Sequence, residues 1–199
     1  MVFGKNIEKK FALISVFEKK NLKYLCSNLN KHKFNFISTG STADKIRSMG
    51  FRCKDVSKLT KTKEMFNGRV KTLNSLIYSS LLYVRDNKIH AKQFKNLNFP
   101  KIDIVVVNLY PFEKFSKKSK NEKVVEMIDI GGPSLLRAAS KNYKYITPII
   151  DHKYYPKLIK NLEKNSGVTD IVFRKRMALK IFKETSKYDN IISSWLNEK

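Results

Sequence analysis

The sequence has few of the residues that build metal sites and disulfide frameworks, and it has no long apolar run. Its 199 residues include two cysteines and three histidines, and neither set shows the spacing of paired ligands. Cys26 and Cys53 lie far apart in apolar surroundings, so we expect reduced core thiols and no metal site. No stretch of 18 apolar residues is present to span a membrane, and the N-terminus shows no secretion signal. We therefore expect a cytoplasmic protein without a membrane partner.

Arginine is scarce relative to lysine, although the chain is strongly basic. The 34 lysines and 7 arginines set a formal net charge of +24, which suggests an anionic partner such as nucleic acid. The lysines are spread along the whole chain without a dense block, and arginine is the residue suited to bidentate phosphate and base contacts. We therefore favour a lysine-coated globular enzyme over a specific nucleic-acid binder, and expect only non-specific binding at low salt.

Apolar runs alternate with segments of helical periodicity along the chain. Hydrophobic residues make up 42% of the sequence, which is enough for the core of one domain, 1–199, or of one domain with a helical appendage. Strands are predicted at 11–16, 34–37, 51–56, 102–107 and 145–150. Helices are predicted at 19–31, 43–49, 75–84, 134–140, 153–164 and 169–195, with a loop or short helix at 86–101, an irregular segment at 57–66 and a charged, mobile one at 114–123. This alternation predicts an α/β fold, with a doubly wound, mostly parallel sheet flanked by helices and a helical C-terminal extension.

The most informative stretch is IDIGGPSLLRAASKN, residues 128–142. Asp129 precedes two glycines, which permit backbone angles closed to other residues and let backbone approach closely, and Pro133 suits the first turn of the helix that follows. The open amides at the start of that helix favour negative charge, and Lys141 lies near its end. These features indicate a site for a phosphorylated small molecule. The alternative, a plain Gly-Pro turn into a core helix, stays open on this stretch alone.

Three further segments have the chemistry of an anion site. Ser38 to Thr42 (STGST) joins a strand to a helix N-terminus, as in phosphate cradles, although the same residues are also favoured as helix caps. In NGRVKTL (67–73), Asn-Gly predicts a tight turn, and Arg69 and Lys71 fall on one face of an extended segment; an exposed basic strand is the alternative. Polar residues follow the strand 102–107, where open α/β sheets place their sites.

Six segments together resemble a known family in order and spacing. They are SVFEK (15–19), STGSTA (38–43), NGRVKTL (67–73), DIVVVNLYPF (103–112), IDIGGPSLLRAASKN (128–142) and KIFKETSKYDNIIS (180–193). The chain resembles, over about residues 10–196, the IMP cyclohydrolase domain, the N-terminal part of the bifunctional purine biosynthesis protein that also carries a formyltransferase. The resemblance implies a methylglyoxal synthase-like fold. It also implies ring closure of 5-formamidoimidazole-4-carboxamide ribonucleotide to inosine monophosphate with loss of water, the last step of de novo purine biosynthesis, without cofactor or metal.

The resemblance also implies a set of site residues. By similarity the catalytic positions are Lys71, Tyr110, Asp129 and Lys141. As a hypothesis, Asp129 and Tyr110 relay the proton while Lys141 and the Lys71 region stabilise the oxyanion. The positions expected to bind nucleotide and phosphate are Ser15, Lys19, Thr39, Gly40, Ser41, Thr42, Arg69, Thr72, Asn108 and Gly131.

The sequence departs from the family pattern at a few of these motifs. Phe17 stands where the family has serine, Ser41 where it has glycine, and Asn74 and Tyr78 where it has histidines; we expect these to affect nucleotide affinity, and Phe17 to crowd the site. No formyltransferase domain follows Lys199, so the chain is either a stand-alone domain or a fragment, and a homodimer is left open. The rival functions are another enzyme of the methylglyoxal synthase-like fold and a non-catalytic phosphate- or nucleotide-binding module.

Overall fold

One parallel sheet forms the centre of the molecule. The computed structural model describes residues 9–63, 65–66, 69–117 and 122–197. Within them, five strands pair in the order β3-β2-β1-β4-β5, and every neighbouring pair is parallel. The strands are β1 (Lys10–Val16), β2 (Phe34–Ser38), β3 (Cys53–Asp55), β4 (Ile102–Asn108) and β5 (Thr147–Ile149). The predicted α/β fold with a parallel sheet is confirmed.

Helices connect the strands and extend past the last one. They are α1 (Leu22–Lys31), α2 (Gly40–Ser48), α3 (Val56–Thr60), α4 (Ser75–Leu82), α5 (Lys88–Asn96), α6 (Phe112–Ser116), α7 (Gly131–Lys141), α8 (Tyr155–Lys164) and α9 (Ile171–Asn197), with short 3-10 helices at Glu122–Met127 and His152–Tyr154. The long C-terminal helix is therefore confirmed. None of these helices, in the described ranges, has the length and apolar character needed to cross a membrane.

Three local predictions differ from the structure or fall outside it. The segment 57–66, predicted to be irregular, is partly helical, because Val56 is buried and anchors α3 to the core. The segment 114–123, predicted to be mobile, begins inside α6, while 118–121 lie outside the described residues. The Asn-Gly turn at 67–68 also lies outside them.

The central strands are buried on both sides. Ala12, Leu13 and Ile14 of β1 have no solvent exposure, and Val105 and Val106 of β4 have at most 1%. Helices pack in two groups, α1 with α2 and α8, and α7 with α4 and α9. This covering by helices explains why the strands read as continuous apolar runs rather than alternating ones.

The strand order fixes where a site can form. From β1 the chain moves outward to β2 and β3, and then returns to the other side of β1 to form β4 and β5. The crevice between β1 and β4 is therefore the topological switch point, where open α/β sheets bind ligands at the carboxyl ends of their strands. Val16, Ser38 and Asn108 end their strands at this edge.

At the amino ends of the strands, a polar network compensates for an irregularity in the sheet. The register between β1 and β4 shifts between Phe11 and Ala12. The N–H of Phe11 donates to Asp103 Oδ2 at 3.1 Å, and Asp103 Oδ1 pairs with Arg85 at 2.9 Å. Arg85 also donates to the carbonyl of Ile102 at 2.8 Å. The backbone groups at the amino edge are in this way satisfied by two partly buried charged side chains.

Candidate active site at the carboxyl edge

A cavity of about 580 Å³ opens at the carboxyl edge of the sheet. The ends of β1 and β4, the starts of α2 and α7, and the segment 69–72 surround it. It brings together thirteen of the predicted site residues: Ser15, Lys19, Thr39, Gly40, Ser41, Thr42, Arg69, Lys71, Thr72, Asn108, Tyr110, Asp129 and Gly131. Residues distant in the sequence therefore converge on one volume at the switch point.

Backbone amides and a lysine meet at one end of the cavity. Thr39 is extended, and Gly40 begins α2 with a φ of +46°, a left-handed conformation that glycine adopts without a steric penalty. The N–H groups of the first turn of α2 have no acceptor within the helix. The Nζ of Lys71 lies 3.9 Å from the point where a Cβ on Gly40 would stand. This end therefore offers amides, a helix dipole and a cation to one anion.

Thr42 has a structural task at this end. Its side chain is buried, and its hydroxyl donates to the carbonyl of Val16 at 2.9 Å and accepts from the N–H of Val16 at 3.3 Å. These two bonds attach α2 to the end of β1. Thr42 thus fixes the position of the anion-binding turn, while the exposed Ser41 beside it is open to a ligand.

Asp129 occupies the other end of the cavity, just before α7. Its Oδ1 accepts the N–H of Gly132 at 2.8 Å, and α7 begins at Gly131, so the two glycines form its first turn rather than a preceding loop. Neither has positive φ. They are needed for space: a Cβ on Gly132 would stand 2.3 Å from Asp129 Oδ2, and one on Gly131 3.0 Å from the Thr72 hydroxyl. Close approach, not unusual backbone angles, accounts for the Gly-Gly pair.

Burial raises the pKa of the Asp129 carboxyl above its usual range. The hydrogen bonds from the backbone amides of Gly132 and Tyr110 favour the charged form and offset this effect only in part. A carboxyl group that is costly to ionise and lies beside a polar cavity is the kind of group that exchanges protons with a ligand.

Asn108 uses its amide to hold the loop after β1. Its Oδ1 accepts the N–H groups of Phe17 at 2.6 Å and Glu18 at 3.3 Å, and its Nδ2 donates to the carbonyl of Glu18 at 2.8 Å. Lys19 folds back, with Nζ 3.3 Å from the carbonyl of Phe17. Asn108 therefore links the end of β4 to the loop that follows β1 and sets the position of Phe17.

Phe17 lines the cavity without filling it. Its ring is 46% exposed and lies beside Tyr110, leaving the volume described above open. Phe17 was predicted to crowd the site, but its ring occupies only one side of the cavity entrance.

Arg69 pairs with an acidic residue across the cavity mouth. Its guanidinium binds Glu126 with both Nε, at 3.1 Å, and a terminal nitrogen, and both side chains are exposed. Each charge stabilises the other, so the hydrogen bond between them lowers the pKa of Glu126 and raises that of Arg69. Glu126 was not predicted from the sequence, because its partner lies 57 residues away.

Lys141 is not brought to the cavity. It is exposed at the C-terminal end of α7, ten residues beyond Gly131. At 1.5 Å per residue this is about 15 Å along the helix axis, more than an extended lysine side chain can reach. The expected grouping of Lys71, Tyr110, Asp129 and Lys141 thus holds for the first three.

A second residue missed by sequence reasoning is Tyr188 of α9. Its hydroxyl contacts the backbone on both sides of Ile128. The motif at 180–193 contains this tyrosine, but nothing local shows which turn it meets. Elsewhere in the described ranges, no group of three or more His, Cys, Asp or Glu side chains is arranged to hold a metal ion.

The chain is similar to known proteins over most of its length. Residues 21–134 match the family model of the MGS-like domain, and residues 139–199 match that of the AICARFT/IMPCHase bienzyme. The bifunctional purine biosynthesis protein PurH of Magnetococcus marinus is 42% identical over 190 residues, covering 94% of this chain, and that of Persephonella marina is 42% identical over 189. The chain spans about 36% of the length of these curated relatives. The crystal structure of ForH superimposes with a TM-score of 0.84 at 25% identity, covering 94% of this chain and 97% of that one.

Proposed function

The chain belongs to the family of MGS-like domains, and we propose that it is an IMP cyclohydrolase that closes the purine ring of 5-formamidoimidazole-4-carboxamide ribonucleotide. The observation that carries this proposal is the convergence of Asp129, Tyr110 and Lys71 on one cavity whose far end is built for an anion. The named PurH relatives and the match of residues 139–199 to the AICARFT/IMPCHase model support the same reaction.

The substrate's 5′-phosphate would bind at the start of α2. The amides of Gly40 and Ser41 and the Lys71 ammonium supply hydrogen bonds and positive charge there. This places the heterocycle toward Asp129 and Tyr110. Because both reacting groups belong to one bound molecule, holding them in line lowers the barrier to closure.

Asp129 is the proposed proton carrier. The carboxamide nitrogen attacks the formyl carbon and loses a proton to the carboxylate. The former formyl oxygen takes up two protons and leaves as water; these balance the proton lost from the carboxamide nitrogen and the one lost from the formamido nitrogen as the C=N bond of the ring forms. A carboxyl whose pKa is raised by burial binds that proton more readily than an exposed aspartate. The Tyr110 hydroxyl can donate to the oxygen on which negative charge develops, pass it a proton and regain one from Asp129.

Lys141 has no step in this scheme, although the family resemblance counts it as catalytic. Its place at the far end of α7 separates it from the reacting atoms. We therefore expect Lys141→Ala to lower the rate less than Lys71→Ala, by an effect transmitted through α7.

One chain supplies all of these groups. We propose that residues 1–199 act as a single cyclohydrolase domain that needs no cofactor. A homodimer, which the resemblance leaves open, is not part of the proposed steps.

An ultraviolet assay of ring closure with purified protein tests this function. We expect turnover above the spontaneous rate, and Asp129→Asn to reduce it on the order of 100-fold or more. Asp44→Asn, which changes an exposed carboxylate on α2 outside the cavity, should retain the full rate. Tight nucleotide binding without turnover by the wild-type protein would instead identify a non-catalytic binding module.

A further inference from the structure

The turn that carries Asp129 is held from outside the cavity by one side chain. The Tyr188 hydroxyl accepts the backbone N–H of Asp129 at 2.8 Å and lies 3.3 Å from the carbonyl of Met127, to which it donates. One oxygen therefore ties together two backbone groups that flank Ile128. Any shift of Asp129 relative to α9 must break the first of these bonds.

Tyr188 is itself fixed by aromatic packing. Only 7% of it is exposed, and its ring meets Phe112 edge to face at 6.3 Å. Phe112, with 1% exposure, meets Trp195 in the same way at 5.5 Å. These residues and Val124 form a small apolar cluster that joins α6, the 3-10 helix at 122–127 and α9. The hydroxyl thus projects from a rigid base rather than from a mobile side chain.

Asp129 is consequently anchored at two points. Its backbone nitrogen is held by Tyr188, and its carboxylate is held by the N–H of Gly132. The first bond sets the position of the Cα and the second sets the rotation of the side chain. Burial raises the pKa of Tyr188 to about 12, so near neutral pH its hydroxyl keeps the proton that it donates to Met127.

We propose that Tyr188 is a positioning residue, which holds the Asp129 carboxylate in the orientation required for proton transfer. The proposal rests on the function proposed above. Tyr188 is absent from the cavity lining and so touches no substrate atom; its effect is exerted only through the turn 127–129. Its loss should therefore reduce the rate of the chemical step and leave nucleotide affinity intact.

Tyr188→Phe is the direct test, because it keeps the ring and removes only the hydroxyl. A hydrogen bond of this kind corresponds to roughly a tenfold effect, so we expect kcat to fall about tenfold with KM within twofold of the wild-type value. Tyr155→Phe is the matched control: it removes the hydroxyl of another buried tyrosine, at the start of α8, which does not line the cavity. We expect it to retain both kcat and KM.

Three results would overturn the proposal. These are an unchanged kcat in Tyr188→Phe, a rise in KM instead of a fall in kcat, or an equal loss of kcat in Tyr155→Phe. Hydrogen exchange at the Asp129 amide supplies a readout that does not need turnover. Exchange should accelerate in Tyr188→Phe and not in Tyr155→Phe. If the wild-type protein has no activity, the proposed function fails, and the exchange rates alone decide whether Tyr188 holds the turn.

Discussion

The ring of Phe17 lies against the ring of Tyr110, with centroids 5.0 Å apart and planes inclined by 58°. Both rings border the cavity, and 46% of Phe17 and 37% of Tyr110 remain exposed. Exposed aromatic surface at the mouth of a pocket is stabilised when a ligand covers it. The pair forms an aromatic wall against which a flat heterocycle can pack, beside the proposed proton carrier.

Phe17→Ser tests this wall by installing the residue that the family pattern has at this position. We expect KM for the nucleotide to rise roughly three- to tenfold, because one aromatic contact is lost, while kcat changes less than twofold. Inhibition by ribose 5-phosphate, which has no heterocycle, should be unaffected. Phe115→Ser is the control, since Phe115 is 37% exposed but does not border the cavity. A lower KM in Phe17→Ser would mean that the ring obstructs the ligand.

Glu126→Gln should strengthen substrate binding. Arg69 is paired with Glu126, so an anionic ligand that binds Arg69 must compete with that carboxylate. Removing the charge should lower KM roughly two- to fivefold at low ionic strength, with the difference shrinking as salt is added. Glu113→Gln removes an exposed carboxylate that pairs with Lys117 and should leave KM unchanged. A raised KM in Glu126→Gln would show that the carboxylate contacts the ligand favourably.

Gly132→Ala should damage the site even though alanine is the better helix former. Helix propensity alone would favour the change by about 1 kcal/mol. The added methyl would stand 2.3 Å from Asp129 Oδ2, so the carboxylate must rotate away from the Gly132 amide. We expect kcat to fall roughly 100-fold and stability by about 1–3 kcal/mol. Gly131→Ala, whose methyl would meet the Thr72 hydroxyl at 3.0 Å, should be milder in both measurements.

Asp129→Asn should stabilise the fold while it removes activity. The pKa of Asp129 is raised in the folded state, so the favourable contribution of its protonated form is present below about pH 3.8 and is lost as the pH rises through the folded pKa. At pH 7 the buried charge therefore opposes folding. Asparagine has no charge, and its side-chain oxygen can still accept the N–H of Gly132.

Thermal unfolding across pH checks the sign of this effect. Tm of Asp129→Asn should exceed that of the wild type at pH 7, and the gap should narrow as the pH falls toward the ordinary aspartate value of about 4. A gap that widens on acidification would contradict the raised pKa.

The sheet and its order of elements follow from patterns that the sequence displays directly. Strands buried on both faces give unbroken apolar runs, as at 102–107. The hydroxyl-rich segment that follows 34–37 marks the end of the second strand. Because all parallel strands end at one edge, the polar residues after them had to meet. The turn after β2 and Asn108 at the end of β4 could therefore be predicted to lie together. Asp129 follows the 3-10 helix at 122–127 rather than a strand, and it was grouped with them by its motif and the family resemblance.

The parts that sequence reasoning missed depend on contacts between distant turns. Periodicity shows that 180–193 is helical, but the pairing of Tyr188 with Asp129, 59 residues away, depends on how α9 packs on α7. The Glu126 pair with Arg69 depends in the same way on the relative position of two short segments. Lys141 was grouped with the others by the family resemblance, whereas in the structure ten residues of helix separate it from Gly131.

The Arg85–Asp103 pair indicates that the two ends of the parallel strands have different roles. At the amino ends this pair satisfies backbone groups and stabilises the fold, whereas the site near Asp129 at the carboxyl ends contains groups that are strained or costly to bury. Substitutions that mainly lower stability and those that mainly lower activity should thus lie at opposite ends of the strands. A variant with a higher Tm can be sought at the amino ends with little risk to the candidate active site at the carboxyl ends.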